Sequence, residues 1–291
     1  MDNNAYTNVM AVWVLCRALE IIEQLPADHR RELLEKLDLQ ESEIARWEDV
    51  SRKMRVVFHD GGIISQFEGY EHLMEFDWAA YREKYGDIQR LDRILEAEED
   101  TTNRYKLSKQ ADVLMLFYVL SAGELRELFQ RLGYDLDADQ IRKNIHYYLQ
   151  RTSHGSTLSR VVHSWVLARS DRPQSWQLFM EALESDVADI QGGTTPEGIH
   201  LGAMAGTIDL VQRGYSGLEM RGDVLWFNPS LPGDLRQLAV RIRYRQHSLR
   251  VEATCEQLTV RADDDSPGSL SIGFKEHVYE LGPGETKTFD L

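Results

Sequence analysis

The sequence predicts a mainly α-helical protein that ends in a small β domain, and three observations carry that expectation. Apolar residues recur at helical spacing from Asn4 to about Ser216. After Gly217 short β-branched and aromatic runs replace them. Proline, glycine and Asp/Asn turns punctuate both stretches where stops and reversals are needed. At 291 residues the chain can bury one large core or two ordinary ones.

Taken in order, Trp13, Ala18, Leu19 and Ile22 mark a first helix, residues 33–37 a shorter one, and Ile44, Trp47, Val50 and Met54 a third. Residues 57–100 have no clear period and are rich in acids and aromatics, among them Phe58, Phe67, Tyr70, Phe76, Trp78, Tyr81 and Tyr85. A segment that long between helices reads as a functional loop. Helical spacing returns over 107–121, 122–132, 136–150, 157–169, 173–188 and 196–215, with Pro26, Gly133, Pro173 and Pro196 at starts and stops. Helices in pairs of similar length suit an α/α barrel and equally an ordinary bundle. Strands are expected over 224–227, 238–245, 249–253, 258–262, 270–274 and 277–281, parted by turns such as Asn228-Pro229 and Pro283-Gly284. The alternation from Val240 to Arg245 suits a half-buried antiparallel strand with its arginines in water. Residues 1–216 are thus expected to form a helical domain and 217–291 a β-sheet domain.

Charge limits the partners. A formal net charge of −15 repels nucleic-acid backbones and anionic membrane surfaces, and neither is an expected partner. The nearest basic stripe, Arg241, Arg243, Arg245 and Arg250, reads as the wet face of a strand. Cys16 and Cys255 belong to no CxxC or Cys/His cluster, so no metal or redox cofactor is expected. The polar start MDNNAYTNVM is not a signal peptide, and no stretch reads as the ~20 apolar residues of a membrane span. The expectation is a cytoplasmic protein.

Four stretches could carry chemistry. Arg151 to Ser159 is a hydroxyl-rich turn with a glycine that feeds directly into a helix. Its backbone N–H groups, hydroxyls and His154 suit an anion, while Ser153 or Ser156 would equally serve as a helix cap. Lys109 and Gln110, placed at a helix entrance, could bond the vicinal hydroxyls of a sugar or simply be solvated first-turn residues. In the run from Gly192 to Gly206, Thr195 suits an N-cap with Pro196 at the first helical position. Glycines 198, 202 and 206 recur every four residues, at a cost of about 1 kcal/mol each that implies close packing or a ligand. Glu197 and His200 are spaced to share a helix face; that spacing occurs in di-iron bundles, but such sites need two pairs and only one is present. Gln66 and Glu68, beside Phe67 and Tyr70 in the 57–100 segment, have the mixture of ring and polar group that lines sugar sites, or any packed loop.

Taken together, DNNAYTN at 2–8, KQADV at 109–113, TSHGSTLS at 152–159 and GGTTPEGIHLGAMAG at 192–206 resemble glycoside hydrolase family 65, the family of maltose, kojibiose and trehalose phosphorylases and acid trehalases. The resemblance covers essentially the whole chain. It implies an (α/α)6 barrel, here in part, followed by a C-terminal β-sheet domain. It places Lys109 and Gln110 in a glucose subsite, and Ser153, His154, Gly155, Ser156 and Thr157 around inorganic phosphate as co-substrate, with Gln66, Glu68, Glu197 and His200 as further site-lining candidates. The implied reaction is inverting phosphorolysis of an α-linked glucose disaccharide to β-glucose 1-phosphate, in which phosphate replaces the base-activated water of an inverting hydrolase. In the family the general acid belongs to a GPDEYH-type segment just before DNNAYTN, so it is expected upstream of Met1 and the isolated chain is expected to be inactive. Two other readings stand beside this one. They are a trehalase-like hydrolase, and a non-catalytic sugar- or phosphate-binding remnant that associates with a missing N-terminal half or with itself.

Overall fold

The computed structural model of the chain describes residues 1–190, 196 and 198–291. It divides into two compact units, Met1–Ser153 and His154–Leu291.

The first unit is helical. It comprises α1 (Ala5–Gln24), α2 (Ala27–Lys36), α3 (Glu41–Ser51), α4 (Trp78–Tyr85), α5 (Leu91–Ala97), α6 (Asp112–Val119), α7 (Ala122–Arg131) and α8 (Ala138–Leu149), with a two-residue hairpin, β1 (Phe58–His59) and β2 (Ile63–Ile64). Local chemistry sets the starts. Asn4 accepts from the Thr7 N–H to open α1, and reciprocal capping boxes, Ser121 with Glu124 and Asp137 with Gln140, open α7 and α8. The core joins Val9, Val12 and Cys16 of α1 to Val113, Leu114 and Leu116 of α6, Leu125, Leu128 and Phe129 of α7, and Tyr148 of α8.

Three sequence expectations change here. The buried stripe of α1 is Ala5, Val9, Val12 and Cys16, whereas Trp13, Ala18, Leu19 and Ile22 are only half-buried. This helix, Ala5–Gln24, is by length and composition apolar enough to cross a membrane, contrary to expectation. Its packing against α3, α6 and α7 gives that apolarity a protein core to serve. The 57–100 segment is not a bare loop. It holds the β1–β2 hairpin, α4 and α5, and the residues Phe76, Ile88, Leu91 and Leu95 of an apolar cluster that Leu107 completes and against which Trp78, Tyr81 and Tyr105 pack. Its short helices carry too few turns to print a visible period.

The second unit holds α9 (Thr157–Leu167), α10 (Arg172–Glu184), α11 (Leu201–Asp209) with a π-helical continuation over Leu210–Tyr215, and then strands β3 (Glu219–Arg221), β4 (Val224–Phe227), β5 (Gln237–Tyr244), β6 (His247–Thr254), β7 (Gln257–Ala262), β8 (Leu270–Phe274), β9 (His277–Leu281) and β10 (Thr286–Asp290). The strands form two four-stranded sheets, ordered β10-β7-β6-β5 and β3-β4-β8-β9, over one core that includes Phe227, Val251, Leu258, Val260, Ile272 and Phe274. The sheets are not wholly antiparallel as expected. β4 and β8 pair in parallel, and their register sets Gly273 opposite Trp226, where a Cβ would come within 2.2 Å of the indole. The alternation in β5 is as read: Arg241 and Arg243 are exposed, while Val240, Ile242 and Tyr244 pack on the core.

The last helix also differs. It begins at Leu201, not at Pro196, and Gly198 has φ +107, so Pro196 is not its first residue and Gly198 is not part of its glycine face. Gly202 and Gly206 do form one against α9: a Cβ at 206 would meet Val161 Cγ1 at 2.6 Å, and one at 202 would touch Leu158 at 3.4 Å. Thr195 lies outside the described residues.

Candidate functional site

In the first unit the expected sugar-binding residues gather around the starts of α1 and α6. Helix α6 begins at Asp112, so Lys109 and Gln110 lie in the bend before it and not in its first turn as the spacing suggested. Asn4 Nδ2 donates to Asp112 Oδ2 (2.9 Å), and Gln66 bonds both helix starts, accepting from the Asp112 N–H at Oε1 (3.0 Å) and from the Ala5 N–H at its carbonyl (3.0 Å). The DNNAYTN and KQADV stretches therefore meet. Lys109 is exposed and pairs with Asp92 at 3.0 Å. Burial pushes Asp92 up, but hydrogen bonds from Lys109 and Arg90 outweigh it and hold the carboxyl at about 2. Gln110 is half-buried and its amide donates only to the Met115 sulfur, a weak acceptor. Gln66 is 7% exposed and Glu68 pairs with Asn3 and Arg55, so both have structural partners that account for them.

The neighbouring chain segment is stitched to this bend. Ser108 N–H donates to the Arg151 carbonyl and Ser153 N–H to that of Ser108, both at 2.9 Å, and Thr152 Oγ1 donates to the Tyr148 carbonyl. Backbone pairing thus sets Ser153 against Ser108, one residue before Lys109 and two before Gln110. Arg151 stacks on Tyr147, its guanidinium 3.8 Å from the ring centroid, and pairs with Glu75.

In the second unit, His154, Gly155 and Ser156 lead into α9, with Thr157 buried at its first position. Ser156 occupies the N-cap, yet its side chain makes no capping hydrogen bond, and the Ser153 hydroxyl reaches only the Ser108 carbonyl at 3.5 Å. Neither serine is a cap. His154 has φ +56, a left-handed backbone uncommon for a non-glycine residue. Side chains of α9 hold it there: Ser159 Oγ lies 2.9 Å from Nδ1, Arg160 donates weakly to its carbonyl at 3.5 Å, and the His163 ring packs edge-on, 4.5 Å between centroids. Arg160 is 2% exposed and paired with Glu181. Burial, and then the Arg160 charge, lower the His154 pKa to about 4, so the ring is neutral at pH 7.

His200 lies just before α11, where its N–H and Nδ1 both meet Asp186, whose carboxyl is held low chiefly by that side-chain bond. Glu197 lies outside the described residues. Helical backbone starts at Leu201, so His200 precedes α11 and does not lie on its face. Sequence reasoning missed Asp92, Asp112, Ser159, Arg160 and His163. Ser159, Arg160 and His163 were detectable in principle, since positions five, six and nine beyond His154 lie on the helix that the turn enters.

The helical residues match the glycosyl hydrolase family 65 central catalytic domain over residues 1–209, and the strands match that family's C-terminal domain over 218–281. The chain belongs to glycoside hydrolase family 65. It is 55% identical over 288 residues to an uncharacterized glycosyl hydrolase of Mycobacterium tuberculosis, covering 98% of this chain and 22% of that protein. It is 36% identical to trehalose 6-phosphate phosphorylase of Lactococcus lactis subsp. lactis, covering 99% and 36%, and 31% identical to kojibiose phosphorylase of Caldanaerobacter subterraneus, covering 90% and 32%. The chain therefore spans between about a fifth and about a third of the length of these relatives. A solved protein from the human microbiome, provisionally described as a kojibiose phosphorylase, has the same fold with a TM-score of 0.75 at 22% identity, covering 99% of this chain and 37% of that one.

Proposed function

We propose that this chain supplies the phosphate- and glucose-holding part of an inverting α-glucoside phosphorylase, with Ser153, His154, Gly155, Ser156 and Thr157 around the phosphate and Lys109 and Gln110 on the glucose. The observation that carries the reading is the state of the turn before α9. A serine in an N-cap position ordinarily spends its hydroxyl on the helix. Here Ser156 does not, which leaves its hydroxyl and the first N–H groups of α9 to an anion. The curated relatives named as phosphorylases favour phosphate over water as nucleophile. A dianion held in line with the anomeric carbon then does what a hydrolase's base and water would do, and attack from the face opposite the leaving oxygen gives the β-phosphate. In this reading the proton for the leaving sugar comes from a residue outside these 291, and the barrel is completed by further chain or by a partner. Residues 1–216 act as the catalytic part and 217–291 as the β domain, in a cytoplasmic protein that takes disaccharide and phosphate without nucleic acid or membrane.

Calorimetric titration of the chain with inorganic phosphate tests the turn. Binding is expected in the wild-type chain, and a loss of about tenfold or more in Ser153→Ala/Ser156→Ala, since a phosphate oxygen loses two hydroxyl donors. No binding, or equal binding in the double variant, would remove the phosphate from this turn.

A further inference from the structure

Strand register turns the basic stripe of the β domain into a row of arginines. Arg241 of β5 stands opposite Arg250 of β6, and Arg250 stands opposite Arg261 of β7. All three side chains are exposed. Residues opposed in an antiparallel pair have Cβ atoms about 4.5–5.5 Å apart, and like charges set there cost stability. Charge on an edge strand guards against pairing with another chain, which accounts for Arg241 and Arg243 on β5, the edge of its sheet. β6 and β7 are inner strands, so Arg250 and Arg261 have no edge to guard. The charges are not matched one for one either. Glu252 takes Arg250 at 2.8 Å, the exposed Asp264 lies 3.6 Å from Arg261, and Arg241 has no carboxylate partner among the described residues. Arg245 belongs to the turn after β5 and pairs with Asp223 instead.

Together with Asp263, Asp264 and Asp265, the row lines an open groove of about 400 Å³. The acidic turn is pinned beside the strands: the Asp263 N–H donates to the Ser248 carbonyl at 3.0 Å, and the Asp263 carbonyl accepts from the Ser266 and Gly284 N–H groups, both at 3.2 Å. We propose that this groove binds a phosphorylated sugar, with the phosphate on Arg241, Arg250 and Arg261 and the sugar hydroxyls on the aspartates. Guanidinium forks match phosphate oxygens in pairs, and carboxylates accept from neighbouring hydroxyls. A nucleic acid or other polyanion would meet the three aspartates and Glu252 as well as the arginines, and gains nothing there. A single phosphate group laid across the row relieves the repulsion within it, while the rest of the ligand carries no charge for the aspartates to repel. A local choice that costs stability without serving the sheet is the mark of a functional one. The inference takes nothing from the phosphate reading of the turn before α9.

The test is titration of the 291-residue chain with glucose 6-phosphate, followed by backbone ¹H–¹⁵N spectra. Saturable shifts are expected for residues 239–243, 248–252 and 259–265, with none from glucose and about tenfold weaker binding of inorganic phosphate. Arg241→Gln/Arg250→Gln is expected to weaken glucose 6-phosphate about tenfold or more, since charge-assisted bonds to the phosphate are lost. Asp264→Asn is expected to weaken glucose 6-phosphate but not inorganic phosphate. No shifts in these strands, equal binding in the double variant, or inorganic phosphate bound as tightly as the sugar phosphate would overturn the proposal. Shifts confined to residues 153–157 would also overturn it, and would leave the reading of that turn standing. Thermal unfolding gives a second readout that needs no ligand. Arg241→Gln, which removes one charge from the row and breaks no ion pair, is expected to unfold at the same temperature as the wild type or higher at low salt. A lower temperature would show that the row supports the sheet, and would remove the argument for a ligand.

Discussion

At the residue scale, the Ser156 hydroxyl and the His154 imidazole carry the chemistry of the turn before α9. Because the Ser156 hydroxyl caps nothing, Ser156→Ala is expected to change stability by less than about 0.5 kcal/mol, whereas Ser121→Ala, which breaks a complete capping box, is expected to cost about 1 kcal/mol. Urea unfolding of the two variants side by side checks this, and equal losses would mean that Ser156 is an ordinary cap after all. The buried imidazole gives a pH dependence with a definite sign. His154 has a pKa of about 4 in the folded chain against 6.5 for the unperturbed ring, so between those values the unfolded chain binds more protons. Stability contributed by the neutral ring is present above pH 6.5 and falls as pH drops toward 4, by up to about 3 kcal/mol. His163, lowered chiefly by its burial, acts in the same direction. Unfolding free energies at pH 7 and pH 5 should differ more for the wild type than for His154→Asn. A wild-type chain as stable at pH 5 as at pH 7 would contradict the buried, neutral ring.

At the element scale, the glycine face of α11 makes a sharp contrast. Ala at 206 would drive its Cβ to 2.6 Å from Val161 and is expected to destabilise by about 1–3 kcal/mol, while Ala at 202 meets Leu158 at ordinary contact distance and gains helix propensity. Thermal unfolding should therefore fall for Gly206→Ala and stay level or rise for Gly202→Ala; the reverse order would place α11 elsewhere on α9. The elements also divide cleanly into what the sequence made legible and what it hid. Long helices with capping residues, such as α7, α8 and α10, and strands with strict alternation, such as β5, are where the periodicity put them, because local chemistry and burial agree there. Helices α4 and α5 were hidden, since seven or eight residues give barely two turns and their apolar side chains join a cluster drawn from the whole segment. The start of α11 was misplaced because Pro196 is a good first helical residue, but Gly198 adopts a positive φ that ends any helix begun there. β3 and β10 are edge strands of different sheets, short and largely exposed, with little hydrophobic signal to find.

At the scale of the whole molecule, the change from helix to strand between Tyr215 and Glu219 was legible because it is a change of period. The compact units, which part between Ser153 and His154, were not, since that division follows from which elements pack together and leaves no mark on the local pattern. The candidate site shows the same split. Lys109, Gln110 and the 152–159 turn could be singled out as motifs, but the hydrogen bonds that join Asn4, Gln66 and Asp112, and the support of His154 by Ser159 and His163, are products of folding. The claim that the turn holds phosphate as nucleophile is tested most directly on a longer protein that contains this chain together with a GPDEYH-type segment. Such a protein, given α-linked glucose disaccharides, is expected to release β-glucose 1-phosphate in phosphate buffer and to stop in its absence. Release of free glucose at the same rate without phosphate would contradict the account and make this a hydrolase.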